Sequence, residues 1–216
     1  MPPRTTARGP RTAPSKPEAS AAASAAIAIE NARLYQVAVE KGRLEQELRV
    51  ARQVQANLIP RQTPHIPGWE FAAHWQSALE VSGDFYDFII RDDAPLGIVI
   101  GDVADKGMAA ALFMALTRTI VRASVGKDHS PFESIRRANG LVCADASDGM
   151  FVTLCYAQLD PQRAELTYVN AGHPAPLHFR AALGELSELA GHSIPLGIDD
   201  SIPYAQESVR LDTDDI

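Results

Sequence analysis

From Trp69 to Leu211 a series of strand-like runs is interrupted once, by two consecutive helices, and that order constrains the fold more than any other feature of the chain. The runs are Trp69–Ser77, Asp84–Ile90, Leu96–Val103, Met150–Leu159, Ala164–Asn170 and Pro176–Phe179, with weaker ones at Leu186–Leu189 and Tyr204–Leu211. Between them, Met108–Val125 and Pro131–Ala144 read as helices. Strands, then two helices, then more strands predict an α+β chain of antiparallel sheets with helices on an outer face. Asp160-Pro161-Gln162-Arg163 reads as a hairpin turn between two strong strands. At 216 residues and 46% hydrophobic content the chain can bury one good core, with an appendage to spare.

The appendage comes first. Residues 1–20 are rich in Pro, Arg, Thr and Ser and are expected to form a disordered tail. Residues 21–60 form a helical linker: no proline occurs between Ala21 and Leu58, and helix formers dominate. Leu34, Val37, Lys41, Leu44, Leu48, Ala51, Gln55 and Leu58 follow a heptad rhythm with two polar interruptions, which predicts a short parallel coiled coil and hence a homodimer. The plainer alternative is a single amphipathic helix packed on the domain. Pro60, Pro64 and Pro67 end the helix, and residues 61–216 form the folded domain.

Charge divides along the same line. Residues 1–61 carry a net charge of +5 and residues 62–216 a net charge of −12. A domain that acidic is a poor nucleic-acid binder, because neutralising phosphates drives such association. Cys143 and Cys155 lie in different predicted elements without paired metal spacing, so two core thiols in a reducing cytoplasm are expected rather than a disulfide or a zinc site. No run approaches the roughly 20 apolar residues of a membrane span, and no membrane partner is expected. The Ala-rich stretch near the start is too weakly apolar for a signal peptide.

Two motifs carry the chemistry. Ser82-Gly83-Asp84-Phe85-Tyr86-Asp87 and Gly101-Asp102-Val103-Ala104-Asp105-Lys106-Gly107 each set an aspartate directly after a glycine at the edge of an apolar run. A carboxylate on a glycine corner can reach an ion that bulkier neighbours would block. If the two strands form a hairpin, Asp84 and Asp102 reach the same end of a sheet, and two carboxylates that close repel unless a cation or proton lies between them. Hard cations prefer such oxygen donors. Asp87 reads either as a support to that pair or as a solvated strand residue. Lys106-Gly107 lacks the Gly-x-x-x-x-Gly-Lys context of a phosphate loop, although the helix N-terminus after it offers free N–H groups. Asn170-Ala171-Gly172-His173-Pro174 reads as a polar turn whose histidine is more simply structural than functional. His65, His74, His129, His178 and His192 form no spaced cluster and are assigned no role. No Gly-x-Ser-x-Gly elbow occurs, so an activated water is the expected attacker in any hydrolysis.

Together these segments resemble the SpoIIE/RsbU-like branch of the metal-dependent (PPM) protein serine/threonine phosphatases. The matching stretches are SGDFYDF, GIVIGDVADKGMAAALFMALTRTIVRA, MFVTLCYAQLD, LTYVNAGHPAPL and Ile194–Ile198, and they cover most of residues 52–211 in the family's order. The helix AAIAIENARLYQ is also similar, over a shorter stretch, to the last helix of a GAF sensor domain. The resemblance implies an α-β-β-α sandwich of antiparallel sheets with two Mn²⁺ or Mg²⁺ ions between them. It implies Asp102 as the ligand shared by both ions, the Val103 carbonyl beside it, and Asp84 as a ligand to one. It further implies in-line attack of a metal-activated water on phosphoserine or phosphothreonine, with phosphorylated STAS-domain antagonists of anti-sigma factors as substrates. The family pattern continues past Tyr204–Leu211 into two further aspartate-bearing segments without counterpart before Ile216. The expectation is therefore a sandwich incomplete at its C-terminus, with weakened metal binding and little turnover. A catalytically inactive remnant that dimerises or docks a partner is the alternative.

Overall fold

The computed structural model describes residues 16–216 except 78, 93, 128, 147 and 148. The tail expected over residues 1–20 lies outside the described residues as far as residue 15. Helix α1 runs Lys16–Leu58, beginning ahead of the expected Ala21 and ending two residues before Pro60. Contacts divide the chain after Glu47 into two units. In the first, the heptad residues Leu34, Val37 and Leu44 are all more than half exposed. Ion pairs such as Arg33–Glu30 and Arg43–Glu47, one turn apart, support the helix between them.

The second unit, residues 48–216, contains the sheets. Strands β1 (Phe85–Ile89), β2 (Leu96–Val103), β3 (Val152–Asp160), β4 (Glu165–Ala171) and β7 (Gln206–Arg210) form one antiparallel sheet in the order β1-β2-β3-β4-β7. Strands β5 (Leu177–Arg180) and β6 (Glu185–Glu188) pair separately. Helices α2 (Met108–Ser124) and α3 (Pro131–Asp145) are inserted between β2 and β3. This is the α+β order read from the sequence.

The core forms where the helices meet the larger sheet. Ala110, Met114 and Val121 recur along α2 at helical spacing, and Ile135, Ala138 and Val142 do the same on α3. They join Phe85, Val99, Val103, Leu154 and Tyr156 in one buried cluster. Burying each large apolar side chain contributes about 1.5–3 kcal/mol. Helix α3 starts at a capping box: the Ser130 hydroxyl accepts from the Glu133 N–H at 3.2 Å, and the Ser130 N–H donates to the Glu133 carboxylate at 2.9 Å. Such a cap is worth about 1 kcal/mol. The β3–β4 turn is held as expected, with Asp160 Oδ1 accepting from the N–H groups of Gln162 and Arg163.

Two readings change. Residues 69–77 form no strand. Their apolar alternation serves side-chain docking rather than a hydrogen-bonded ladder: Phe71 meets Phe88 edge to face at 6.1 Å, and the Trp75 indole donates to the Asp84 carbonyl at 2.9 Å. Gln55, which the heptad rhythm placed at a core position, is buried in the domain instead. Its amide nitrogen donates to the carbonyls of Ser82 (2.8 Å) and Ala111 (3.3 Å), and its oxygen accepts from the Ser82 N–H (3.0 Å). Both cysteines are free thiols. No described helix is long and apolar enough to cross a membrane.

Candidate metal centre

The register of the β1–β2 hairpin builds the site. Phe85 lies opposite Gly101, so the next step outward sets Asp84 against Asp102 at one end of the sheet. The two carboxyls are close enough to hydrogen-bond. Asp102 is held above the ordinary carboxylate range, first by partial desolvation, then by the charge of Asp84 and by the hydrogen bond between the two groups. The residue as a whole remains exposed, so solvent screens part of this effect, and the like-charge approach is the informative cause.

The loop before β1 keeps the pair in place. Gln55 grips Ser82 by both its N–H and its carbonyl. The Ser82 hydroxyl then donates to Asp84 Oδ2 at 3.1 Å and accepts from the Asp84 N–H at 3.1 Å. Between them Gly83 lacks a side chain for a visible reason. A methyl there would stand 3.0 Å from the Val103 carbonyl oxygen and 3.3 Å from Asp102 Oδ1. Two oxygen donors, the Val103 carbonyl and the Asp102 carboxylate, thus border a space that a side chain at position 83 would occupy, with the Asp84 carboxyl close to Asp102. The Val103 carbonyl already accepts from the Asp105 N–H at 2.8 Å, and its second lone pair remains.

A cleft of about 560 Å³ opens beside the pair, lined among others by His74, Trp75, Asp84, Tyr86, Ile100 and His173. His173 reaches it from the end of β4. Asn170, 1% exposed, closes that turn by itself, accepting from the His173 N–H at 2.8 Å and donating to the His173 carbonyl at 2.9 Å. Gly172 adopts φ 75° there, and a methyl on it would meet Pro195. The His173 imidazole bonds through Nδ1 to the Thr153 hydroxyl at 3.0 Å, and that hydroxyl also donates to the Asp102 carbonyl at 3.4 Å. Burial holds His173 below the ordinary histidine range, opposed by the charge of Asp84.

Asp87 does not join the pair. It points into the sheet–helix interface, 1% exposed, where its Oδ2 takes Arg122 at 2.7 Å and Arg118 at 3.1 Å. The solvated reading of Asp87 is therefore corrected: two arginines from α2 neutralise it. Gly107 caps α2 with φ 78° and no side-chain cap bond. His178, given no role from sequence, is buried against Asp215 at 2.9 Å. The parts that Thr153, Trp75 and Gln55 play at the site were not legible in the sequence, because each acts through a partner elsewhere in the chain. Among the described residues, no three His, Cys, Asp or Glu side chains converge as a metal-holding group.

The donors present suit a hard divalent cation, since they are oxygens from two carboxylates and a carbonyl on an uncluttered corner. No soft ligand adjoins them: neither cysteine lines the cleft, and burial pushes the Cys155 thiol up to about 12.

Comparison with known proteins gives the family and the fold. Residues 92–216 match the family described as Stage II sporulation protein E (SpoIIE). Protein IcfG of Synechocystis sp. is 31% identical over 193 residues, covering 77% of this chain and 30% of the relative. Phosphoserine phosphatase RsbU of Bacillus subtilis is 26% identical over 173 residues, covering 80% of this chain and 51% of the relative. The chain thus spans about half or less of the curated relatives it matches. Among solved structures, the SiaA-PP2C domain of Pseudomonas aeruginosa superposes with a TM-score of 0.63 at 18% identity, over 80% of this chain and 69% of that one. The PP2C phosphatase domain of SpoIIE from Bacillus subtilis gives 0.55 at 19% identity, over 62% and 40%. These structural likenesses carry the fold.

Proposed function

Because the chain belongs to the SpoIIE family of phosphatases, we propose that it is a metal-dependent protein serine/threonine phosphatase hydrolysing phosphoserine or phosphothreonine on a regulatory protein. The observation that carries this reading is the approach of Asp84 to Asp102 at the mouth of a cleft, with Gly83 leaving the space before them open. Asp84, Asp102 and the Val103 carbonyl are the groups that would hold Mn²⁺ or Mg²⁺. Such ions supply Lewis acidity, which makes water a better nucleophile at neutral pH and offsets negative charge on a phosphoryl group.

The chain's own residues do the positioning. Ser82 fixes the Asp84 carboxylate, Gln55 fixes Ser82, and the Trp75 indole holds the Asp84 carbonyl. The cleft, about 560 Å³ and lined by Asp84, has room for a phosphorylated side chain and would bring its phosphoryl group to the carboxylate end of the hairpin. A water oxygen attacks phosphorus, the bond to the seryl oxygen breaks, and no phosphoenzyme forms. A phosphorylated STAS-domain protein is the substrate class the family supports, and the relative RsbU carries the name phosphoserine phosphatase. Helix α1, with its exposed apolar seam, pairs with a second copy. Sedimentation at tens of micromolar tests the pairing, and a monomer there contradicts it.

The deciding assay is Mn²⁺-dependent hydrolysis of a phosphoserine peptide, run beside Asp102→Asn. Low turnover that Mn²⁺ supports and the substitution removes is expected, in line with the weakened metal site read from the sequence. A second reading is a dimerising, partner-docking module without catalysis. It draws on the meeting of only two carboxylates among the described residues. Mn²⁺ binding without turnover would favour it.

A further inference from the structure

The Asn170–Pro174 turn holds a side chain that its own architecture does not use. Asn170 makes both bonds that close the turn, so the His173 ring is free of that duty. The ring lies instead in the cleft that Asp84 lines, tethered by Nδ1 to Thr153. The Thr153 hydroxyl has one proton, and the Asp102 carbonyl takes it. In the tautomer that lets the hydroxyl accept from His173, the imidazole proton sits on Nδ1 and the Nε2 lone pair has no partner among the described residues.

We propose that His173 is a catalytic residue of this site, a proton shuttle whose Nε2 serves first as base and then as acid. The proposal rests on the phosphatase reading above. As the water oxygen bonds to phosphorus, one water proton passes to Nε2. As the bond between phosphorus and the seryl oxygen breaks, that proton passes from Nε2 to the seryl oxygen. Serine and inorganic phosphate leave, and His173 returns to its neutral form with Nδ1 still donating to Thr153. A fixed tautomer matters because an imidazole rotated or protonated on the other nitrogen would aim its lone pair at Thr153 rather than into the cleft.

Two measurements on the full chain test it. With saturating Mn²⁺, His173→Gln is compared with the parent protein on a phosphoserine peptide and on p-nitrophenyl phosphate. Nitrophenolate departs without a proton, whereas a seryl oxygen needs one. The expected loss in kcat on the peptide is about a hundredfold or more, and at least tenfold greater than the loss on p-nitrophenyl phosphate. Equal losses on both substrates would assign His173 a structural role and overturn the proposal. Long-range ¹H–¹⁵N spectra of the metal-free protein supply the second readout: His173 is expected as the Nδ1–H tautomer, and Thr153→Val is expected to release it. An Nε2–H tautomer in the parent overturns the proposal independently of turnover. If the parent hydrolyses neither substrate with Mn²⁺, the phosphatase reading itself has failed, and the shuttle falls with it.

Discussion

Asp84 and Asp87 stand three residues apart at and on one short strand, yet the fold treats them in opposite ways. Asp87 is 1% exposed and lies between Arg118 and Arg122, so its charge is answered inside the protein. Asp84 faces solvent, and the nearest strong charge is another carboxylate, Asp102. The first arrangement answers the charge through Oδ2, although Asp87 Oδ1 and Arg118 Nε stay buried without a partner. The second costs free energy as it stands, and a bound cation would relieve it. A carboxylate whose charge the fold satisfies is structural; one that the fold sets against its own kind marks a site.

Removing Asp87 gives the largest expected effect. Asp87→Asn leaves Arg118, whose side chain is 14% exposed, without its counter-charge. Breaking a buried pair on one side costs about 3 kcal/mol, readable as a lower urea midpoint at unchanged slope. A variant as stable as the parent would erase the contrast with Asp84. Gln55→Ala comes next. It strips buried partners from the Ser82 N–H and carbonyl, at about 2 kcal/mol, and it loosens the hydroxyl that braces Asp84. Mn²⁺ affinity is expected to fall in parallel, and stability loss without any change in metal affinity would separate Gln55 from the site. Smaller again is Arg122→Ala. That side chain is 41% exposed, Arg118 remains beside Asp87, and the loss should stay within about 1 kcal/mol.

Acid separates the two kinds of carboxylate as well. Asp215 is held below its ordinary value of 3.8 by the Asp212 N–H, then by the hydrogen bond to His178. A depressed folded-state pKa means stability that is present above 3.8 and lost as pH falls below it. Unfolding free energy measured between pH 5 and pH 2, a span chosen about that value, should fall less steeply in Asp215→Asn than in the parent. Identical slopes would show that the His178–Asp215 contact contributes nothing.

Much of this was legible in the sequence where interactions are local or strand-periodic. The β2 strand was read with the bounds it adopts, and the Gly-Asp corners named the two carboxylates before any register was known. The failures share a physical cause. Asp87 finds its arginines 31 and 35 positions away, on a helix whose rotation no strand pattern reveals. Gln55 sat in a heptad rhythm that describes α1 well until its last turns, where docking to Ser82 outweighs periodicity. Residues 69–77 alternate like a strand but lack a ladder, because alternation reports which side chains are buried and says nothing of hydrogen-bond partners. His173 looked like a turn residue because its turn is real; the ring's partner, Thr153, lies 20 positions earlier on β3.

The central claim, that Asp84 and Asp102 form a pair awaiting a cation, is tested most directly by thermal unfolding of the parent and of Asp102→Asn, each with and without Mn²⁺. Without metal, Asp102→Asn should be as stable as the parent or more so, because the substitution removes a repulsion. Mn²⁺ should raise the parent's melting temperature, by the equivalent of about 2.7 kcal/mol at a hundredfold excess over Kd, and leave the variant unmoved. A metal-free variant that loses stability as Asp87→Asn does, with no response to Mn²⁺ in either protein, would show that Asp102 is a structural carboxylate and that the site is not a metal centre.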